Sequence, residues 1–180
     1  AWRELGEWLG QGYDDSFANV IRSADQSAAH LVALLAEMPL YRDVSVYEEI
    51  EVPLYKRAQI TAADLNRAFG DRSFGQFKDL GQLTLFADNL VPHVLRCEGV
   101  LAYSPSLAER VDAADSIPAG SLEEVEIRAV AVVAVERLVE ALGRLGRATT
   151  AHELDGLLWN AGQAPAIKAR TRHRTRSTYY

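Results

Sequence analysis

Apolar residues recur at positions 83, 86, 87, 90, 91, 94 and 95 (Leu83, Phe86, Ala87, Leu90, Val91, Val94, Leu95), the spacing of a helix with a broad apolar face. The pattern predicts a helix capped by Thr84, kinked or broken just before Pro92 and running to about Arg96, with Gly99 beyond its end. The same reasoning predicts a helix from Ala24 to Met38, with Leu31, Leu34 and Leu35 at core spacing and Pro39 as its stop. Thr61, with Asp64 three residues on, reads as the N-cap of a short helix closed by Gly70. Ser121 opens the longest helix, Leu122 to about Leu145, whose first turns carry Glu123, Glu124 and Glu126. Its middle, Ala129 to Val135, is apolar nearly all round, which predicts a central buried helix. A shorter helix is predicted over Ala151 to Ala161. Val44, Val46, Tyr47, Ile50 and Val52 fit a short hairpin within 40–55, although Pro53 counts against it. The fold class is therefore all-α, with that hairpin as the one β element.

The chain has 180 residues, which suits one domain with an appended segment. No apolar run approaches the roughly 20 residues that span a bilayer, and the first residues lack a signal-peptide pattern. A single cysteine, Cys97, rules out an internal disulfide framework, suits a reducing, cytoplasmic setting, and reads as helix filler. Net charge is −6, unevenly spread. Residues 165–180 hold Lys168, Arg170, Arg172, Arg174 and Arg176 and no acid, so the rest carries 14 basic against 25 acidic groups, a net of −11. An acidic body lacks the extended basic face that broad nucleic-acid binding needs. The concentrated basic end fits one local anionic partner, or else a solvated terminus.

Asp88 is the residue that most needs a role. On the edge of the predicted apolar face, its carboxylate must be paired, hydrogen-bonded or chemically engaged. Asp155, in Leu154-Asp155-Gly156-Leu157-Leu158-Trp159-Asn160, reads either as a surface acid or as a pocket acceptor, and Trp159 as core packing. Lys56 and Arg57 can meet a phosphate, Lys56 can pair with Asp88, or both can be solvated. Glu124 and Glu126 lie about 200° apart around a helix and cannot serve one site, so that block reads as an anchor for the long helix. No His, Cys, Asp or Glu spacing points to a metal, and no cofactor is implied.

Several blocks carry a resemblance. Lys56-Arg57-Ala58-Gln59, Phe86-Ala87-Asp88, Val91-Pro92 with Val94-Leu95-Arg96, Tyr103-Ser104, Glu124-Val125-Glu126-Ile127-Arg128 and His173-Arg174-Thr175-Arg176 with Tyr179-Tyr180 resemble the queuosine salvage family. These are queuosine 5'-phosphate N-glycosidases, which release queuine for salvage into tRNA modification. Six blocks in one order over about 140 residues are far more specific than one motif. The resemblance extends from about Ser27 onward and implies that residues 1–180 are the C-terminal helical part of such a protein. Family members carry an N-terminal half that helps to build the base pocket, so this chain alone is expected to be poorly active.

The resemblance further implies that Asp88 is the catalytic aspartate, stabilising an oxocarbenium-like sugar or orienting the attacking water. Queuine is a 7-deazaguanine without an N7 to protonate, which moves the burden to the sugar cation. Phe86, Asn89, Asp155, Gly156 and Asn160 fall at base-binding positions, and Lys56, Arg57, His173 and Arg174 at positions that can meet the phosphate. The sequence departs from the family pattern at Asn89 (commonly tyrosine), Gly156 (an aromatic) and Asn160 (an acid), which bears on base recognition. The implied partner is the small molecule queuosine 5'-phosphate, with no direct nucleic-acid contact and no membrane. A lysine followed by an aspartate across helical hairpins is also analogous to helix-hairpin-helix DNA glycosylases. The rival readings are therefore a nucleic-acid glycosylase of that type and a non-catalytic helical module that binds a base or nucleotide.

Overall fold

The computed structural model describes residues 2–180, which divide into two compact units. The first comprises residues 2–43, Tyr55–Leu83 and Tyr179; the second comprises Val44–Leu54, Thr84–Thr178 and Tyr180.

The first unit is helical: α1 (Trp2–Gly12), α2 (Phe17–Ser23), α3 (Ala28–Leu35) and α4 (Lys56–Phe69), followed by 3-10 turns at Ser73–Gly75 and Leu80–Gln82. The single helix expected over Ala24 to Met38 is broken. Asp25 and Gln26 take positive φ, and Ser27 starts α3 by accepting the His30 N–H. Asp79 completes that start: its carboxylate accepts the Ala28 N–H at 2.6 Å, the Ala29 N–H at 3.2 Å and the Ser27 hydroxyl at 2.7 Å. Helix α4 begins five residues before the expected Thr61. The Asp43 carboxylate, buried 13 residues upstream, accepts the Lys56 N–H at 3.2 Å and supplies the cap from a distance. Thr61 lies inside the helix and donates its hydroxyl to the Arg57 carbonyl, while Gly70 ends the helix as expected.

The second unit is built around α7 (Leu122–Arg144). Strands β1 (Val44–Tyr47) and β2 (Ile50–Pro53) form the hairpin, with Val44 opposite Pro53 and Tyr47 opposite Ile50. Pro53 is tolerated because it sits at the strand end. Helices α5 (Val91–Cys97), α6 (Pro105–Asp112), α8 (Ala151–Ala161) and α9 (Pro165–Lys168) complete the unit. Local signals set α7 and α8 where the sequence placed them. The Ser121 hydroxyl accepts the Glu124 N–H, and Thr150 with Glu153 forms a reciprocal capping box.

Two expectations about α7 and α8 are corrected. Val130 and Val133 are 46% and 50% exposed, so α7 is not buried all round. Its buried stripe runs through Glu124, Val125, Ile127, Arg128, Ala131 and Val135, which places the charged Glu124 and Arg128 inside while Val130 and Val133 stay outside. Trp159 is 47% exposed rather than in the core. The core instead gathers Leu85, Ala87, Val91, Leu95, Leu101, Ala131, Val135 and Leu154.

The largest correction concerns the stretch before α5. Residues 83–88 form neither helix nor strand, with the Ala87 N–H turned back to the Leu85 carbonyl at 2.9 Å, and the helix begins only at Val91. No helix starts at Thr84, and Pro92 occupies the first turn of α5, where its missing N–H costs no hydrogen bond. Gly162, at the end of α8, lets the chain approach α5: a Cβ there would stand 2.9 Å from two Leu90 side-chain carbons and 3.0 Å from Val94. Gly162→Ala is therefore expected to destabilise the protein by about 1–3 kcal/mol through overpacking, measured as a lower denaturation midpoint at unchanged slope.

Candidate functional site

Three side-chain contacts hold the non-helical Phe86-Ala87-Asp88 segment in the second unit. Asp155, 8% exposed on α8, accepts the Phe86 N–H at 3.1 Å. Arg128, 1% exposed on α7, donates Nε to the Ala87 carbonyl at 3.0 Å. Asp88 itself turns back: its Oδ1 accepts the N–H groups of Leu90 at 2.7 Å and Val91 at 3.1 Å. A backbone that would otherwise continue as helix is thus fastened from both sides and released into α5 by the Asp88 carboxylate. Half-buried, Asp88 makes no other hydrogen bond among the described residues, which leaves Oδ2 available.

Arg128 is fixed in turn by a buried network. Its guanidinium lies 3.3 Å from Glu124 Oε1, one helical turn back and 2% exposed, and 4.7 Å from the centre of the Tyr180 ring. Glu124 also accepts the Tyr180 hydroxyl at 2.7 Å and the Gly120 N–H at 3.1 Å. Burial and the bond to Glu124 raise the Tyr180 phenol well above its ordinary pKa. Glu124 and Glu126 diverge as expected, and Glu124 anchors α7. The signal missed in the sequence was the i,i+4 Glu124/Arg128 pair lying on the buried stripe.

The remaining candidates are scattered. Phe86 is buried, and Asn89 is half-buried directly after Asp88. Gly156 is half-buried, and a Cβ there would meet nothing within 4 Å; Asn160 is exposed. Asp155 and Asn160 lie about 140° apart around the helix, and only Asp155 turns inward. Lys56 and Arg57 belong to the first unit, on the first turn of α4, where Arg57 Nε donates to the Tyr179 carbonyl at 3.2 Å. Arg174 is exposed in the second unit, while His173 is 1% exposed and neither of its ring nitrogens has a hydrogen-bond partner. His93 on α5, missed in the sequence, is buried with Nε2 3.1 Å from the Ile167 carbonyl. Burial lowers its pKa, helped by Arg170, Arg172 and Arg96. Cys97 Sγ lies 3.5 Å from His93 Nε2, so Cys97 packs against that ring.

The residues that follow Asp88 reach a cleft of about 890 Å³, with Asn89, Leu90 and His93 on one side and the basic residues of 168–176 on another. The described lining of this cleft carries Lys168, Arg170, Arg172, Arg174 and Arg176 and no carboxylate, on a helical unit. The family model for queuosine salvage protein matches residues 1–180, and the chain belongs to that family. A protein of Sphaerobacter thermophilus named queuosine 5'-phosphate N-glycosylase/hydrolase is 44% identical over 179 residues, covering 99% of this chain and 55% of its own length. Proteins of the same name from Dictyostelium discoideum and Bos taurus are 38% and 36% identical, covering 99% and 98% of this chain. The chain spans 56% and 55% of those two proteins' lengths, so about half of each of these curated relatives lies outside the match. No helix among the described residues is long and apolar enough to cross a membrane.

The buried His173 gives the unit a pH dependence. Burial, with His93, Arg128 and Arg172 nearby, lowers its pKa from 6.5 to about 4. The unfolded chain takes up this proton near pH 6.5 and the folded chain only near 4, so stability is intact at neutral pH and falls with pH through that window. The expected loss between pH 7.5 and 5 is about 2 kcal/mol, read from urea midpoints; His173→Leu should remove most of that slope.

Proposed function

We propose that this chain carries the catalytic carboxylate of a queuosine 5'-phosphate N-glycosidase, hydrolysing the N-glycosidic bond to release queuine. The observation that supports the reading best is the state of Asp88. Two backbone N–H groups hold Oδ1 and leave Oδ2 to face a reacting group. A carboxylate fixed before the reaction loses no orientation when positive charge develops at the anomeric carbon, which is where preorganised electrostatics acts most strongly. The same oxygen can orient water and accept its proton as the C–N bond breaks. Because the leaving base has no N7 to protonate, stabilisation of the sugar cation is the main lever.

Phe86 is assigned to the base pocket, with Asn89, Gly156 and Asn160 as the positions that tune base specificity. Asp155 acts through its bond to the Phe86 N–H, so it positions that wall and the segment leading to Asp88. The partner is a small-molecule nucleotide in the cytoplasm; no cofactor, nucleic-acid partner or membrane is invoked. The whole reaction, its substrate and the contribution of the relatives' unmatched half belong to this proposal.

The test is incubation with queuosine 5'-phosphate and detection of free queuine by mass spectrometry. Asp88→Asn keeps an oxygen for the Leu90 and Val91 N–H groups but removes the charge. Turnover should fall by far more than tenfold while queuine affinity changes little. A loss below about tenfold, roughly 1.4 kcal/mol, would return Asp88 to a purely structural capping role. Queuine binding without turnover in the wild-type chain would favour the base-binding module. Folded Asp155→Ala protein should bind queuine more weakly, because the Phe86 N–H loses its acceptor and the wall it holds is no longer fixed; unchanged queuine affinity would remove Asp155 from the site.

A further inference from the structure

Tyr180 lies in no helix or strand, yet its side chain touches both members of a buried ion pair. Its hydroxyl donates to Glu124 Oε1 at 2.7 Å, and the centre of its ring stands 4.7 Å from the Arg128 guanidinium. The same Glu124 oxygen lies 3.3 Å from Arg128 Nη1. Arg128 and Glu124 are 1% and 2% exposed, so water does not replace either contact when it is lost. Burial, and after it the bond to Glu124, holds the phenol above its ordinary pKa, so it stays a protonated donor at neutral pH.

Arg128 carries this constraint to the candidate site. Its Nε donates to the Ala87 carbonyl at 3.0 Å, and that carbonyl belongs to the peptide joining Ala87 to Asp88. Downstream, Asp88 Oδ1 accepts the N–H groups of Leu90 at 2.7 Å and Val91 at 3.1 Å. The carboxylate is thus set from one side by its own cap and from the other by the peptide plane that Arg128 fixes. Tilting that plane turns the Asp88 Cα–Cβ bond and moves Oδ2. A misplacement of about 1 Å at a reacting group can cost roughly a hundredfold in rate. Tyr180, Glu124, Arg128 and Asp88 all belong to the second unit, and Tyr180 is not among the residues lining the cleft.

We propose that Tyr180 is a positioning residue for the reaction: by covering Arg128 and holding Glu124 it fixes the Ala87 carbonyl and, through it, the Asp88 carboxylate. The inference rests on Asp88 being the catalytic carboxylate. Tyr180 acts without touching a reacting atom, so its loss lowers kcat and leaves KM nearly unchanged.

The experiment pairs steady-state release of queuine from queuosine 5'-phosphate with amide hydrogen exchange, both on the 180-residue chain. Tyr180→Phe keeps the ring and loses the hydroxyl, whereas Tyr180→Leu loses both. Expected is a fall in kcat of about tenfold for Tyr180→Phe and more for Tyr180→Leu, with KM changed by less than about twofold. Arg128→Lys removes the Nε donor, and adding Tyr180→Phe to it should cost little more, because both act through one bond. The Leu90 and Val91 amides report the turn at Asp88. They should exchange at least about tenfold faster in Tyr180→Phe while the α6 amides keep their rates. Val111→Ala opens a cavity in the cluster of Val111, Ile117 and Ile127, and should lower the denaturation midpoint with neither effect. Unchanged exchange at Leu90 and Val91 in Tyr180→Phe overturns the inference. So do losses that multiply in the double variant, a raised KM at constant kcat, or both effects reproduced by Val111→Ala. No queuine release from the wild-type chain, with the two amides loosened by Tyr180→Phe, would sink the hydrolase reading alone and leave the positioning of the carboxylate standing. Queuine release with the same kcat in Tyr180→Phe would sink only this one.

Discussion

Arg128 and Glu124 have been taken out of water together, at 1% and 2% exposure, and the second unit is arranged around keeping them satisfied. Dehydrating two ions costs several kcal/mol each, and their attraction offsets that cost only when the remaining donors and acceptors also find partners. Here they do. The Ala87 carbonyl takes the Arg128 Nε, the Tyr180 ring covers the guanidinium, and the Tyr180 hydroxyl and the Gly120 N–H supply Glu124. Losing one member would strand the others without solvent. The network is therefore a geometric constraint more than a source of net stability, and the position it fixes is the residue before Asp88.

From that constraint the candidate site follows. Residues 83–88 have helical hydrophobic spacing, yet a helix there would spend the Ala87 carbonyl and the Phe86 N–H on its own ladder. Arg128 and Asp155 take those two groups instead, so the segment stays out of the helix. The helix then starts where Asp88 caps it, and that act orients the carboxylate. The two oxygens of that side chain are used differently: Oδ1 holds the turn, and Oδ2 makes no hydrogen bond among the described residues.

How much of this could be read from the chain depended on whether the deciding contact was local. Ser121 and the Thr150/Glu153 pair lie within one turn of the helices they start, and both helices were placed nearly to the residue. The hairpin was visible in its β-branched residues. The start of α4 was not, because its cap comes from Asp43, and neither was the break before α3, whose start depends on Asp79, about 50 residues away. The 83–95 pattern misled for the same reason, since its clamps come from α7 and α8. Within the site, Asp88 stood out as a carboxylate among apolar neighbours and as part of a family block. Arg128 and Glu124 were legible only as an anchor, because nothing in a single sequence says which stripe of α7 faces inward when Val130 and Val133 compete for it. His93 and the alternating arginines come together only in the folded cleft, which a single sequence does not show.

The span of the clamps has a consequence for the time course of folding. The three bonds around Phe86, Ala87 and Glu124 join residues separated by 69, 41 and 56 positions in the chain. Contacts of that separation must meet loop-closure entropy before they contribute anything, so they belong to the late, native side of the folding barrier. Weakening them should steepen escape from the native state more than it delays arrival, appearing in the unfolding arm of a chevron. On this reasoning partly folded forms of the chain would hold their helices before the clamps on Phe86 and Ala87 orient the turn at Asp88.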